Sequence, residues 1–406
     1  MPDAHVVPTT SPVTIIGGGI GGLAVANALQ RVGIDFALYE RAPALTEVGA
    51  GIGLSPAAIG VLDALGLGAR ARAEGFAVEH IRLADKRLRV RRTFPALPGR
   101  DFGLCIHRAA LLDILKSGID PEKIHLGRHA VGVSTDAASV TFADGSSVSA
   151  PCVVVADGIH SALRQTVWPD IQVRHIDQTI WRGIAEVETP DVMRNALIEI
   201  WDEGLRFITV PMDARHTLWL AVKPEAPGGQ DNPLTVRDDL ASVFAGYHPV
   251  VGDLIRGASE VLRRDMVDLG TPRRGWHAGR VVFLGDAIHA TTPNLGQGGC
   301  QAIEDALCLA LCLHRFGADL ESAFSTYYER RSKKAGFVVR RSWTLGKAAH
   351  SLNPLRYYGY RAVLERAPDG FIRRQERYLN DLGYMRDLDA LGVFRQVIPV
   401  PDRRVV

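Results

Sequence analysis

The chain has 406 residues, room at ~150 residues per domain for two or three structural units. Hydrophobic residues make up 47% and charged residues 23%, a balance that excludes wholesale disorder and collagen-like structure. Lysine and arginine total 47 against 45 acidic residues, so a net charge of +2 gives no reason to expect nucleic acid or an anionic membrane as the main partner.

The first predicted elements form a phosphate-binding unit. The N-terminal MPDAHVVPTTSP lacks the basic start and apolar core of a signal peptide and reads as a short flexible tail. The β-rich run VTII at 13–16 predicts a buried strand, and GGGIGG at 17–22 fits G-x-G-x-x-G through Gly17, Gly19 and Gly22. Residues 23–31 predict a helix that Gly33 stops, and FALY at 36–39 predicts a second strand ending at Glu40. Each glycine has its reason. Gly17 permits the tight turn, Gly19 lets backbone approach a pyrophosphate, and Gly22 lets the helix pack on the strand. The helix N-terminus offers free N–H groups and partial positive charge. Glu40 stands where an acid accepts ribose hydroxyls, which disfavours a 2′-phosphate here. The glycines alone do not separate NAD from FAD.

Further along, TF and SV around Asp144-Gly145 predict a hairpin. CVVVA at 152–156 predicts a buried strand ending in Asp157-Gly158. Between 178 and 263 the pattern changes to strands over 179–187, 196–201, 206–210 and 217–222, punctuated by Pro211, Pro224, Pro227 and Gly228-Gly229. Alternation sets Arg206 on one face with Ile208 and Val210. VVFL at 281–284 predicts another strand, running into Gly285-Asp286-Ala287. The glycine-rich TPNLGQGGC at 292–300 then feeds a helix over 301–314, again a geometry suited to anions. The run RRSKK at 330–334 reads as a solvated helix face, the chain after Ser342 as terminal helices, and 398–406 as a loose tail. No apolar run reaches the ~18–20 residues of a membrane span. The five cysteines, Cys105, Cys152, Cys300, Cys308 and Cys312, form no CxxC pair and no metal-ligand spacing. They read as reduced, buried thiols in a cytoplasmic protein with no metal site.

GGGIGG with Glu40, VVVADGIHSALR, and GRVVFLGDAIHATTPNLGQGGCQAIEDA together resemble the class A FAD-dependent aromatic hydroxylases, the para-hydroxybenzoate and salicylate hydroxylase superfamily. The likeness spans most of residues 11–350, and is nearest to the branch of FAD-dependent urate hydroxylase and zeaxanthin epoxidase. It implies an α/β fold: a Rossmann-like FAD-binding domain in three segments (11–75, 101–170, 265–345), an inserted, mostly antiparallel β-sheet substrate domain (76–100, 171–264), and a C-terminal helical tail (346–406). It implies that Gly17, Gly19 and Gly22 take the pyrophosphate of non-covalent FAD, and Glu40 with Arg41 the adenosine ribose. Gly53 would pass near the flavin, Arg108 reach the FAD linker, and Ala130 meet the adenine. Asp157 would bridge FAD and the visiting nicotinamide, Asp286 bind ribityl or pyrophosphate, and Gly296, Gln297, Gly298, Gly299 and Cys300 lie along the isoalloxazine, with Pro293 walling it. Arg206 matches a substrate-contacting arginine of that branch. Arg182 stands where the branch has an asparagine, so the pocket has departed from it.

The reaction so implied is hydroxylation of a planar aromatic or heteroaromatic small molecule. O2 would be activated as a flavin C4a-hydroperoxide and NADH or NADPH would visit as reductant. The absence of a second G-x-G-x-x-G fits a transient reductant. An epoxidase or flavin dehydrogenase on the same scaffold, and a non-enzymatic flavin-binding redox module, are the alternatives. The chain is expected to act as a monomer or homodimer, without nucleic acid or integral membrane contact.

Overall fold

Parallel strands buried on both faces are near-continuous runs of β-branched and aliphatic residues, as VTII and VVV are here. The structure is a computed structural model that describes residues 12–45, 49–202, 204–389, 392 and 394. The tails expected at 1–12, Pro12 apart, and at 398–406 lie outside the described residues. Val13–Ile16 runs parallel between Phe36–Tyr39 and Val153–Val155, and Val281–Phe283 lies beyond the last. Ile124–His125 and His277–Ala278 complete a six-stranded sheet. Three segments far apart in sequence thus end at one sheet edge, where ligands of open α/β sheets bind. Ile20–Arg31 and the buried Gly298–Phe316 pack against each other over that sheet. Gly33, with φ +76°, follows the first of them as expected.

A seven-stranded sheet forms the second layer. Its order is Leu262–Asp268, Arg174–Glu186, His216–Pro224, Leu205–Pro211, Ala196–Asp202, His80–Ala84, Val90–Thr93. Every pairing is antiparallel except that of Ala196–Asp202 with His80–Ala84. Alternation gives it two dry faces. Trp181, Ile198, Ile200, Phe207 and Trp219 pack beneath two helices, Val236–Val243 and Pro249–Arg256, which the strand-rich reading of this region did not include. Ile184, Leu197, Ile208, Val210, Leu218 and Leu220 face the other way, toward Ala50 and Cys105 of the cofactor-side strands. A small sheet of Phe76–Val78, Gly103–His107 and Gly51–Leu54 stands there.

The basic run at 330–334 departs from its expectation. Helix Leu320–Ala349 buries Arg331 and Lys334, three residues apart and so on one face. Arg331 donates to Asp305 (2.6 Å) and Glu304 (2.8 Å), and Lys334 to Glu304 (2.7 Å). Tyr384, from the chain beyond that helix, also donates to Glu304 (2.9 Å). The two acids supply the partners that buried cations require. Among the described residues no helix is long and apolar enough to cross a membrane.

Candidate cofactor and substrate site

The strand ends open onto a cavity of about 360 Å³. Of the expected cofactor residues, Gly17, Gly19, Glu40, Arg41, Arg108, Ala130, Asp157, Asp286, Gly298 and Gly299 line it. Gly17 has φ +108°, and a Cβ there would stand 2.4 Å from the Ala156 carbonyl oxygen. Gly22 does not line the cavity. It lies against the turn, where a Cβ would meet the Gly17 carbonyl oxygen at 1.8 Å. A Cβ at Gly19 would meet nothing within 4 Å, so only a ligand can explain its glycine sterically. Glu40 braces the loop through the Gly18 (2.6 Å) and Ala42 (2.8 Å) amides, one on each oxygen. A carboxylate has about four acceptor sites, so capacity remains for hydroxyls. Arg128 and His129, immediately before Ala130, line the cavity as well, and Arg128 lies over the Phe142 ring at 4.4 Å. Their adjacency to Ala130 was the available sequence signal.

Two acids of the lining lie in dry surroundings. Burial pushes the Asp157 carboxyl up against the opposing Ser161 hydroxyl, and Asp157 Oδ1 is buried without a hydrogen-bond partner. Burial likewise pushes Asp286 up, with His289 and Arg108 opposing. The two motifs are tied together by buried Arg164, which donates to the carbonyls of Ile159 (2.6 Å) and Ala287 (3.0 Å). Beneath Asp286, Asp305 accepts from the Gly285 amide (2.9 Å) and pairs with His289 Nε2 (2.6 Å). Burial pushes the Asp305 carboxyl up, but His289 and Arg331 outweigh it and hold it well below the usual carboxylate range. His289 is thus committed to the scaffold. The orphaned Asp157 oxygen, the open space at Gly19 and the arginines at the rim fit a hydroxyl-rich dinucleotide.

The remaining expected residues sit beside the cavity rather than on it. Gly53 belongs to the strand Gly51–Leu54, paired with Cys105. Gly296, at φ +63°, turns the chain after Pro293–Leu295, and Gln297 caps the helix that follows. Cys300 is fully buried: its thiol accepts from the Ser55 amide (3.3 Å) and donates to the Gly53 carbonyl (3.4 Å). Its thiol therefore fastens the helix to the neighbouring strand.

The family model described as FAD binding domain matches residues 10–342. The chain belongs to this family, as a class A FAD-dependent monooxygenase. It is 36% identical over 343 residues to an aurachin C monooxygenase/isomerase of Stigmatella aurantiaca, covering 82% of this chain and 88% of that one. It is 33% identical to a 3-amino-4-hydroxybenzoate 2-monooxygenase of Streptomyces cremeus, covering 83% and 87%. Among solved structures, Klebsiella pneumoniae HpxO complexed with FAD and uric acid superposes with a TM-score of 0.84 at 27% identity, covering 93% and 98%.

In this FAD-dependent monooxygenase the two arginines expected on the substrate side differ sharply. Arg206 does share its face with Ile208 and Val210, but it is 2% exposed and held by other residues. Its guanidinium forks onto Glu199 (3.1 and 2.8 Å) and donates to the side chain (2.8 Å) and carbonyl (3.2 Å) of Asn294. Four of its roughly five N–H groups are spoken for. Arg206, expected on the substrate side, clamps the turn carrying Pro293 to the sheet. Asn294 passes the clamp on to Thr292 (3.1 Å), which bonds Ser342 (2.9 Å) of the long helix. Among the described residues Arg182 has no such partners, and its Nε is buried without a hydrogen bond.

Proposed function

We propose that the chain is an NAD(P)H-consuming monooxygenase that hydroxylates a planar aromatic or heteroaromatic small molecule. The carrying observation is the apolar face of the seven-stranded sheet, Ile184, Leu197, Ile208, Val210, Leu218 and Leu220, turned toward the strand edge that bears Ile52 and Arg108 of the cofactor cavity. An aromatic ring laid between such a wall and a cofactor is held by area and shape, and water is kept from the reacting atoms. The relatives named as monooxygenases of aminohydroxybenzoate and aurachin, and a neighbour holding uric acid, support the same substrate class.

In this reading Gly17 and Gly19 receive the pyrophosphate, Glu40 and Arg41 the ribose, Ala130 the adenine, Arg108 the linker, and Asp157 and Asp286 hydroxyls of the ribityl side. Gly298 and Gly299, at the helix N-terminus, present backbone N–H groups to the ring's polar edge. Residues 11–75, 101–170 and 265–345 act as the FAD-binding part, and 76–100 with 171–264 as the substrate part. Bound FAD supplies the two-electron chemistry that activates dioxygen. Overall, NAD(P)H gives two electrons, one oxygen atom enters the ring, and the other leaves as water. The chain's own work is positioning, exclusion of water, and fixed charge.

The test is oxygen uptake by the purified yellow holoenzyme with NADH or NADPH and a panel of aromatics. The expected result is substrate-stimulated uptake and a product 16 mass units heavier, as one oxygen atom requires. Reductant oxidation indifferent to every aromatic would overturn the reading.

A further inference from the structure

Three arginines share the sheet face that looks toward the cofactor half. Strand register sets Arg182 opposite Leu220 and Leu262, Arg206 opposite Val222, and Arg264 opposite Ile180. Arg206 is neutralised by Glu199. Arg264 is exposed at the edge, with Nη1 on the Arg263 carbonyl (3.1 Å). Arg182 is half-buried among aliphatic neighbours, and among the described residues no ion pair or hydrogen bond meets its guanidinium. The charged groups that act on it are cations: burial, then Arg108, then Arg264 lower its pKa. A half-buried guanidinium in the company of like charges is unfavourable until an anion arrives. Arg108 lines the cofactor cavity and Arg182 does not, which sets the anion's place apart from that cavity.

We propose that Arg182 is the oxyanion-binding residue of the substrate pocket, so that the substrate is an aromatic or heteroaromatic anion, either a carboxylate or an ionised ring oxygen, which Arg264 steers in from the rim. This rests on the aromatic-monooxygenase reading and narrows it. A planar fork matches either oxyanion, bidentate for a carboxylate. The apolar wall takes the ring, and Arg182 fixes which edge is presented to the cofactor. Arg264, solvated and at the edge, contributes through the long-range field, so its effect is on association rate and is screened by salt.

Calorimetric titration of the holoenzyme with benzoate against benzamide, and with 4-nitrophenolate against 4-nitroanisole, tests the site and tells carboxylate from ring oxygen. The expected result is that at least one anion binds at least tenfold tighter than its neutral partner. Arg182→Met should weaken that anion about ten- to a hundredfold, the loss of one charge-assisted contact. It should leave the neutral compound's affinity and the FAD content unchanged. Arg264→Gln should slow association and flatten its salt dependence at an unchanged dissociation rate. Wild type that fails to prefer either anion, or an Arg182→Met variant that keeps the preference, overturns the proposal. If the anion binds through Arg182 yet no aromatic stimulates oxygen uptake, the anion site stands and the reaction assigned above falls.

Discussion

Gly19 and Gly22 look alike in the sequence and differ in what surrounds them. At Gly22 an added methyl meets a backbone carbonyl at 1.8 Å, and neither the strand end nor the helix can yield. Gly22→Ala should therefore lower the stability of the apoprotein, by about 1–3 kcal/mol or more, as overpacking does. At Gly19 the added methyl meets nothing. Gly19→Ala should leave the melting temperature of the apoprotein where it is and weaken FAD at least tenfold, ~1.4 kcal/mol. Melting curves with and without FAD separate the two, and a Gly19→Ala protein that holds FAD like wild type would remove the pyrophosphate from that loop. The three glycines were legible because backbone geometry leaves few alternatives: a positive φ, a close approach and a packed crossing each exclude a side chain. The direction of the Cys300 thiol was not legible in the same way. Its neighbours in sequence belong to the glycine loop, but Cys300 is the third residue of its helix, a step of about 100° beyond Gly299, and its thiol is buried in the core.

Strands and helices carry the next lesson through Arg206. Its face was readable from alternation, because period two survives any tertiary arrangement. Its partner was not. Glu199 becomes a neighbour only through the pairing of Ala196–Asp202 with Leu205–Pro211, where Trp201 stands opposite Arg206 and Glu199 opposite Ile208. An arginine beside aliphatics thus gave no sign in the sequence of the clamp it forms. Arg206→Met should cost up to about 3–5 kcal/mol, because it leaves Glu199 with the Trp201 indole N–H (2.9 Å) but no cation in a largely dry site. The double variant Glu199→Gln with Arg206→Met should recover part of that loss in chemical denaturation, since no charge is then left alone. If the double variant is less stable by the sum of the two single losses, the clamp is not the source of the cost. The run at 330–334 misled in the same way. Charge suggested water, while the spacing of Tyr327, Arg331, Lys334 and Val338 follows the buried face of a helix. The acids that make such burial tolerable sit on another helix, which composition does not reveal.

Over the whole molecule, acid should loosen the fold. His350 is buried beside Arg206, with Nδ1 on the Gly204 carbonyl (2.7 Å), and burial lowers its pKa from 6.5 to about 3. The unfolded chain takes up this proton below about pH 6.5 while the folded chain refuses it until about pH 3. Stability from this group is therefore complete above pH 6.5 and drains as pH falls, by up to roughly 1.4 kcal/mol per pH unit. His350→Gln should flatten that part of the stability–pH curve, and an unchanged slope would assign the acid sensitivity elsewhere. The placement of the thiols has a consequence for the working life of the enzyme. An oxygenase whose ring is poorly seated releases hydrogen peroxide, so the protein is exposed to an oxidant of its own making. Peroxide attacks thiolates, not thiols. All five cysteines are buried, and burial pushes Cys105, in the wall against the seven-stranded sheet, and Cys152 up to about 12. Prolonged uncoupled turnover should leave five titratable thiols in the denatured protein, and the molecule ages by some other route than its cysteines.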